Sequence, residues 1–164
     1  VLFRSGLQTV ERSDTISLAA LTEEVFCDLD PVADKHQIRL IQTEGDCTVT
    51  GSYILLYRAV YNLVENAIKY NRPSGSVTVS IHSAESAVLE VTDTGIGISP
   101  ENQEKIFDPF YRVDKSRSRA MGGAGLGLAL VSEIARQHNG QVKVTQSSEK
   151  GSTIALILPE STDY

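Results

Sequence analysis

Four short segments occur in one order along this chain, and each combines polar groups with backbone that can approach a ligand closely. Residues 62–70 contain two asparagines, a glutamate and a lysine, and residues 93–97 place an aspartate before two glycines. Residues 107–112 hold two phenylalanines and an arginine, and residues 122–127 contain four glycines. These groups can hold a hard metal ion, phosphate and a base, so their order predicts a pocket for a nucleoside triphosphate and its metal ion.

Length, composition and charge limit the possible architectures. The chain has 164 residues, of which 41% are hydrophobic and 22% charged, and this is ordinary for a globular domain with one core. We expect a lead-in over residues 1–14 and one domain over residues 15–164. The formal net charge of -6 disfavours a nucleic-acid binder, because neutralising phosphates requires a basic surface.

Cysteine content and hydropathy bear on the compartment. Cys27 and Cys47 form no CxxC pair and have no further ligands nearby in the sequence, so neither a zinc site nor a disulfide framework is indicated. No apolar run approaches the roughly 20 residues that span a bilayer, and the N-terminus lacks a signal pattern. We therefore expect a reduced, cytoplasmic setting without direct membrane contact by this chain.

Hydrophobic periodicity predicts three long helices. Apolar residues recur three or four positions apart after Ser17, and Ser52 is a candidate N-cap for a second helix that ends near Tyr70. The third helix follows the glycine run and stops at Asn139-Gly140. The predicted helices are residues 17–34, bent near Pro31, 52–70 and 126–138.

Alternating apolar residues predict two hairpins and two short strands. The first hairpin delivers Asp93 at a strand end, and Ser99-Pro100 predicts a short helix through Glu104. The predicted fold is a two-layer α/β sandwich in which three helices cover one face of a mixed sheet. Its predicted strands are residues 38–42, 48–50, 77–81, 88–92, 142–146 and 153–158.

On the second predicted helix, Asn62, Glu65, Asn66 and Lys69 share one face, since they lie at offsets of zero, three, four and seven residues. Amide and carboxylate oxygens suit Mg²⁺, and an ammonium group neutralises phosphate. The alternative interpretation is an ordinary solvated helix face. The two asparagines weigh against it, because asparagine is a mediocre helix former.

Asp93 follows a predicted strand and precedes Gly95 and Gly97. A carboxylate only accepts hydrogen bonds, so Asp93 can select the exocyclic amino group of adenine, while glycines without Cβ let the backbone approach the base. The alternative interpretation is an ordinary β-turn, in which aspartate and glycine are common.

The glycine run at residues 122–127 precedes a helix, so its amides and the helix N-terminus can face phosphate oxygens. Flexible loops use the same residues. The run lacks the Gly-Lys-Ser/Thr of a Walker A loop and the strand-led register of dinucleotide-binding folds, so both classes are disfavoured.

Residues 107–121 have no clear period and carry most of the local positive charge, which predicts a flexible lid. Phe107 and Phe110 are expected to anchor this lid by burying their rings. Arg112 and Arg117 are candidates for contact with the γ-phosphate, and an ordinary solvated basic loop is the alternative interpretation.

The four segments, in this order and spacing, resemble the ATP-binding catalytic domain of sensor histidine kinases. The resemblance covers about residues 52–158 and implies the Bergerat-type fold that these kinases share with gyrase, Hsp90 and mismatch-repair ATPases. The aromatic stretch at residues 107–112 and the short chain favour the histidine kinase branch.

The resemblance also implies roles on the second helix. Asn66 should be the main Mg²⁺ ligand with Asn62 assisting, and Lys69 should contact phosphate. Tyr70 should contact the base, although it could instead close the core. Glu65 is a candidate catalytic base, but histidine kinases usually place that group beside the phosphoacceptor.

In the other segments the resemblance assigns recognition of the adenine amino group to Asp93, and the shape of the base pocket to Gly95 and Gly97. The glycine run should wrap the triphosphate. The implied nucleotide contacts here are Phe110, Arg112, Arg117, Gly123, Gly125, Leu126 and Gly127.

The family reaction moves the γ-phosphoryl group of ATP to a histidine on a separate dimerisation domain, and from there to an aspartate on a response regulator receiver domain. His36, His82 and His138 lack the His-Glu/Asp-x-x-x-Pro setting of that phosphoacceptor. We therefore expect the acceptor on a partner domain, with residues 1–14 either as the tail of its dimerisation helix or as residues foreign to the native protein. The isolated domain should be monomeric, and its parent dimeric and membrane-anchored.

Gly51-Ser52 stands where many family members have Gly-Asp, and serine can still cap the helix. Two other functions stay open at this point. One is a nucleotide-dependent regulatory module without transfer activity, and the other is a self-contained ATPase of the gyrase or Hsp90 type.

Overall fold

A computed structural model describes residues 14–109 and 127–161 of the chain. Its helices in these ranges are α1 (Leu18–Lys35), α2 (Tyr53–Lys69) and α3 (Gly127–Gln137). The strands there are β1 (Asp14–Ser17), β2 (Arg39–Gln42), β3 (Thr48–Gly51), β4 (Ser76–Ala84), β5 (Ser86–Asp93), β6 (Gln141–Ser148) and β7 (Gly151–Leu158).

The main sheet has five strands in the order β2-β4-β5-β7-β6. β2 pairs in parallel with β4, and the other neighbours are antiparallel, so the sheet is mixed. The register aligns Val79 with Val91, and Ile154 with both Val91 and Val144. Because side chains alternate between faces along a strand, this row presents one apolar stripe to the helices.

The three helices cover that face of the sheet, as the periodicity predicts. α2 lies between α1 and α3 and contacts both of them as well as β4 and β5. Its buried residues recur at helical spacing and include Leu56, Val60, Leu63 and Val64. The α/β sandwich expected from the sequence is therefore confirmed.

A second sheet, which the sequence analysis did not predict, pairs β1 with β3. Asp14, assigned to the lead-in, begins β1, and Ile16 pairs with Val49 across the two strands. Both of these apolar side chains are buried in the common core. A strand of four residues has too little alternation to be recognised without its partner.

The short helix predicted from Pro100 through Glu104 is wrong in detail. The chain forms two 3-10 turns instead, at Pro100–Asn102 and Lys105–Phe107. Ser99 precedes the first turn, but its side chain makes no capping bond to the backbone. Short segments often stop at this tighter geometry because nucleating a full α-helical turn is unfavourable.

Among the helices of the described ranges, none is long and apolar enough to cross a bilayer. Cys27 is exposed and Cys47 is buried, and both are free thiols. Burial, followed by the nearby Glu160 carboxylate, raises the pKa of the Cys47 thiol.

Candidate functional site

The Asp93 carboxylate lies at the C-terminal end of β5 and is held by three hydrogen bonds. Oδ1 accepts from the Gly95 backbone N–H at 2.9 Å and from the Ser152 N–H at 3.3 Å. Oδ2 accepts from the Ser152 hydroxyl at 3.0 Å. A carboxylate offers about four lone-pair sites, so Oδ2 keeps acceptor capacity for one further donor.

The electrostatics of Asp93 follow from its partial burial. Desolvation is the largest effect and raises the pKa of this carboxyl above its ordinary value. The hydrogen bonds from Gly95 and Ser152 stabilise the charged form and offset part of that rise. The side chain is thus a fixed, partly desolvated acceptor, as hydrogen-bond recognition of a base requires.

The turn after Asp93 requires glycine at two positions. A Cβ on Gly95 would lie 2.4 Å from the Tyr70 carbonyl oxygen, where α2 ends. Gly97 has a φ of +80°, and a Cβ there would lie 2.0 Å from the Ser148 carbonyl oxygen. The backbone of this turn therefore packs directly on its neighbours at both glycines, and at Gly97 it also adopts a conformation that other residues adopt only with strain.

A buried amide, missed by the sequence analysis, ties the turn to the end of α2. Asn71 is 7% exposed, and its Oδ1 accepts from the Thr94 hydroxyl at 2.8 Å. Its Nδ2 donates to the Ser76 carbonyl oxygen at 2.8 Å. From the sequence, Asn71 is predicted only to terminate a helix, and Ser152 lies just before the strand predicted at residues 153–158. The only local signals for these two residues are their positions next to Tyr70 and Gly151.

The polar face predicted on α2 is present. Asn62, Glu65, Asn66 and Lys69 are partly exposed, while the opposite face of the helix is buried in the core. Lys69 Nζ lies 3.7 Å from Glu65 Oε1, one helical turn earlier. Such a half-exposed pair contributes little to stability and leaves the ammonium able to turn toward an anion.

The start of α3 lies against this polar face. A Cβ on Gly127 would lie 3.9 Å from Cγ of Asn62, which is ordinary contact distance. The first residue of α3 and Asn62 of α2 therefore adjoin. At the end of α2, the Tyr70 carbonyl meets Gly95, so the structure brings parts of three predicted segments together around the C-terminal half of α2.

The third and fourth predicted segments lie mostly outside the residues that the structure describes. Phe107 packs partly buried against the core, as expected, and the preceding Ile106, which the sequence analysis did not single out, is 7% exposed. The following candidates lie outside the described residues: Phe110, Arg112, Arg117, Gly123, Gly125 and Leu126.

The oxygen ligands on the α2 face suit Mg²⁺ shared with a substrate better than a metal ion coordinated only by protein side chains. Within residues 14–109 and 127–161, no cluster of three or more His, Cys, Asp or Glu side chains could form a metal cage. Asn62 and Asn66 offer neutral amide oxygens, and Mg²⁺ commonly completes its shell with substrate phosphates and water. The residues present therefore fit this ion.

The three histidines lie away from these groups. His36 follows the C-terminus of α1, and His82 lies 3.7 Å from Glu90 on the sheet. His138 follows α3, as a helix-end residue, but it is 3% exposed and so does not lie on the surface.

Residues 51–162 match the family described as Histidine kinase-, DNA gyrase B-, and HSP90-like ATPase. This match covers more than half of the chain, and the chain belongs to that family. The resemblance drawn from the four sequence segments is thereby confirmed at the family level.

Individual relatives identify the branch. Sensor-like histidine kinase SenX3 of Mycolicibacterium smegmatis is 39% identical over 165 residues, covering 97% of this chain and 43% of that protein. Sensor histidine kinase RppB of Synechocystis sp. is 44% identical over 140 residues, covering 85% of this chain and 30% of that protein. The chain thus spans less than half the length of these curated relatives.

Solved structures agree with this branch. The mycobacterial sensor histidine kinase MprB has 27% identity and a TM-score of 0.76, with coverage of 92% of this chain and 99% of that chain. Histidine kinase ThkA, solved in complex with response regulator TrrA, has the same fold at 22% identity and a TM-score of 0.72, with coverage of 90% and 42%. Within its family, this chain is the ATP-binding catalytic domain of the sensor histidine kinase type.

Proposed function

We propose that this chain binds Mg²⁺-ATP and positions its γ-phosphoryl group for transfer to a histidine on a separate dimerisation domain. The observation that carries the proposal is the Asp93 carboxylate, which Gly95 and Ser152 hold at the end of β5 with acceptor capacity left on Oδ2. Adenine presents an amino group where guanine presents a carbonyl, so an acceptor at this place favours ATP over GTP.

Mg²⁺ is assigned to the polar face of α2. Asn66 would be the main ligand and Asn62 the second, both through amide oxygens, which suit this ion. The ion would neutralise part of the charge on the phosphates. Gly127 lies against Asn62, so phosphate held by the N-terminal amides of α3 would adjoin that asparagine.

The remaining assignments surround this centre. Lys69 contacts phosphate and Tyr70 the base, and Gly95 and Gly97 shape the base pocket. Glu65 orients the Lys69 ammonium. It is also a candidate for a catalytic base, although this role has less support than the first. Contacts from outside the described residues are assigned to Phe110, Arg112, Arg117, Gly123, Gly125 and Leu126.

Phosphoryl transfer needs little covalent chemistry from the protein, because positioning and charge neutralisation lower most of the barrier. This domain supplies the phosphate-holding half, and a dimerisation domain in the parent protein supplies the histidine. The next acceptor is a response regulator receiver domain, and the solved complex of ThkA with TrrA supports that partnership. We place the domain in the cytoplasm of a membrane-anchored, dimeric parent, which agrees with its free Cys27 and Cys47 thiols.

Calorimetric titration with ATP and GTP, each in Mg²⁺ and in EDTA, tests base recognition and metal dependence together. The wild-type chain should bind ATP more tightly than GTP, and more tightly in Mg²⁺ than in EDTA. In Asp93→Asn, the amide oxygen should replace Oδ1, because that atom accepts two backbone N–H groups. The NH₂ then replaces Oδ2 and opposes the adenine amino group, while the Ser152 hydroxyl can rotate to accept.

Asp93→Asn should therefore weaken ATP binding by about 1–3 kcal/mol and abolish the preference for ATP. Glu90→Gln is the matched control, since it removes a carboxylate from the same strand that lies 3.7 Å from His82 instead. Equal wild-type affinity for ATP and GTP would sink the base assignment, and equal affinity in Mg²⁺ and EDTA would sink the metal assignment.

A further inference from the structure

His138 connects the C-terminal end of α3 to the N-terminal end of α2. Its Nδ1 lies 2.8 Å from the Ile134 carbonyl oxygen, within α3. Its Nε2 lies 3.1 Å from the backbone nitrogen of Ser52, the N-cap of α2. The side chain is 3% exposed, so both contacts lie out of bulk solvent.

These two partners determine the proton on the ring. A carbonyl oxygen can only accept, so Nδ1 must carry the hydrogen that points at Ile134. The Ser52 N–H is a donor, so Nε2 must be the unprotonated acceptor. The structure therefore requires the neutral Nδ1–H tautomer of His138.

The ring also fits closely against the backbone before α2. A Cβ on Gly51 would lie 2.4 Å from Cδ2 and 2.7 Å from Nε2 of His138. Any larger residue at Gly51 would push the ring off Ser52. The absence of a side chain at this position is what allows the imidazole to reach the N-cap.

The proposed nucleotide site lies toward the opposite ends of the same two helices. α3 starts at Gly127, which lies against Asn62, and ends beside His138, which contacts Ser52. The two helices are therefore antiparallel and approach each other at these two points. About ten residues separate those points on each helix, or roughly 15 Å at 1.5 Å per residue.

We propose that His138 is a positioning residue for nucleotide binding, which sets the register of α3 against α2 and so places Gly127 against Asn62. Packed helices have discrete registers because side chains of one fill grooves of the other. A directional bond at the far end selects one of these registers. The inference rests on the proposed function, which assigns Asn62 to the metal and Gly127 to phosphate.

Two substitutions of His138 test whether its hydrogen-bond acceptor is what matters, because one keeps an acceptor near the place of Nε2 and the other does not. In His138→Gln the amide oxygen can reach the place of Nε2 and accept from Ser52, whereas in His138→Asn the shorter amide leaves that N–H unpaired. By calorimetry at a temperature where circular dichroism shows a folded chain, His138→Gln should keep its Mg²⁺-ATP affinity. His138→Asn should lose about tenfold, the equivalent of one unmet buried hydrogen bond.

Val79→Ala is the matched control, because it destabilises the buried sheet without touching either helix end. A purely structural role for His138 predicts that Val79→Ala and His138→Asn, compared at equal stability, bind ATP equally well. That result would overturn the proposal. So would a wild-type chain whose imidazole ¹⁵N shifts report the Nε2–H tautomer, a measurement that needs no variant to fold.

A readout without nucleotide separates this inference from the proposed function. The amide resonances of Gly127 and Asn62 should shift in His138→Asn and stay in place in Val79→Ala. If the wild-type chain failed to bind ATP, the proposed function would fall while these shifts still tested the register. If the wild-type chain bound ATP and the Gly127 and Asn62 resonances did not shift in His138→Asn, the positioning role of His138 would be wrong and the proposed function would still stand.

Discussion

Asp93 combines partial burial with three hydrogen bonds, and the balance between them decides how it titrates. Desolvation favours the neutral acid and outweighs the donors Gly95 and Ser152, so the pKa lies above the ordinary value of 3.8. The native state therefore holds this proton more tightly than the unfolded chain does. The resulting stability is fully present below the unfolded pKa and is lost as the pH rises through the native pKa.

Nucleotide binding should show the opposite dependence on pH at this residue. Only the ionised Asp93 presents an acceptor on both oxygens, so ATP affinity should fall as the pH falls through the raised pKa. Calorimetric titrations over a pH series should show this loss beginning above the range of an ordinary aspartate.

Asp93→Asn is the reference for that series. Protonation of ATP itself changes the affinity of both proteins equally, so the difference between them reports on Asp93 alone. The difference in binding free energy between wild type and variant should shrink on acidification. A difference that stays constant across the series would show that ionisation of Asp93 does not contribute to binding.

At the scale of elements, α2 is the helix around which the site is built, and its N-terminus is held by side chains. The Ser52 hydroxyl accepts from the Leu55 N–H at 3.3 Å, and the Asp14 carboxylate accepts from the Tyr53 N–H at 3.4 Å. These acceptors satisfy amides that a helix start leaves without intrahelical partners. The serine that replaces the family's aspartate at this position therefore still caps the helix.

Ser52→Ala should lower the free energy of unfolding by about 1 kcal/mol, because the Leu55 N–H loses its acceptor. Ser52→Asp should restore it. Urea denaturation followed by circular dichroism measures both changes.

Ser99→Ala provides the control for this capping bond. Ser99 precedes a 3-10 turn but makes no capping bond to the backbone. Its substitution should leave the urea midpoint nearly unchanged. If Ser52→Ala and Ser99→Ala had the same effect, the Ser52 cap would contribute nothing measurable.

At the scale of the whole molecule, the fold places the proposed nucleotide-binding groups apart from the histidines. The polar face of α2, the start of α3 and the turn after β5 adjoin, whereas the histidines of the chain lie elsewhere. His138 is enclosed between α2 and α3, and both of its ring nitrogens contact the backbone. Under the proposed function, transfer requires an acceptor brought in by another domain, since the attacking atom must lie within near-attack range of phosphorus.

Incubated with labelled ATP, the isolated chain should bind nucleotide but form no acid-labile, base-stable phosphate on its own histidines. Adding a dimerisation domain from a related kinase should produce that label on the added domain. Label on His36, His82 or His138 at a catalytic rate would overturn the modular interpretation. Steady release of phosphate by the chain alone would favour a self-contained ATPase, and binding without transfer to any acceptor would favour a regulatory module.

Much of this architecture can be predicted from the sequence, because it depends on residues that are only a few positions apart along the chain. Helix periods of three and four, strand alternation and the Ser52 cap act over a few residues, and the structure agrees with them. The place of Asp93 at a strand end follows from the same local pattern. So does the shared face of Asn62 and Asn66, because the geometry of a helix sets which residues lie together.

Only the tertiary structure decided which distant groups meet. Ser152 reaches Asp93 across 59 positions because β5 and β7 pair in one register, and Asp46 accepts from Ala19 across 27 positions at the start of α1. The contact of His138 with Ser52 spans 86 positions. No local period encodes such pairs, because they depend on strand register and helix packing, which are set by the whole core at once.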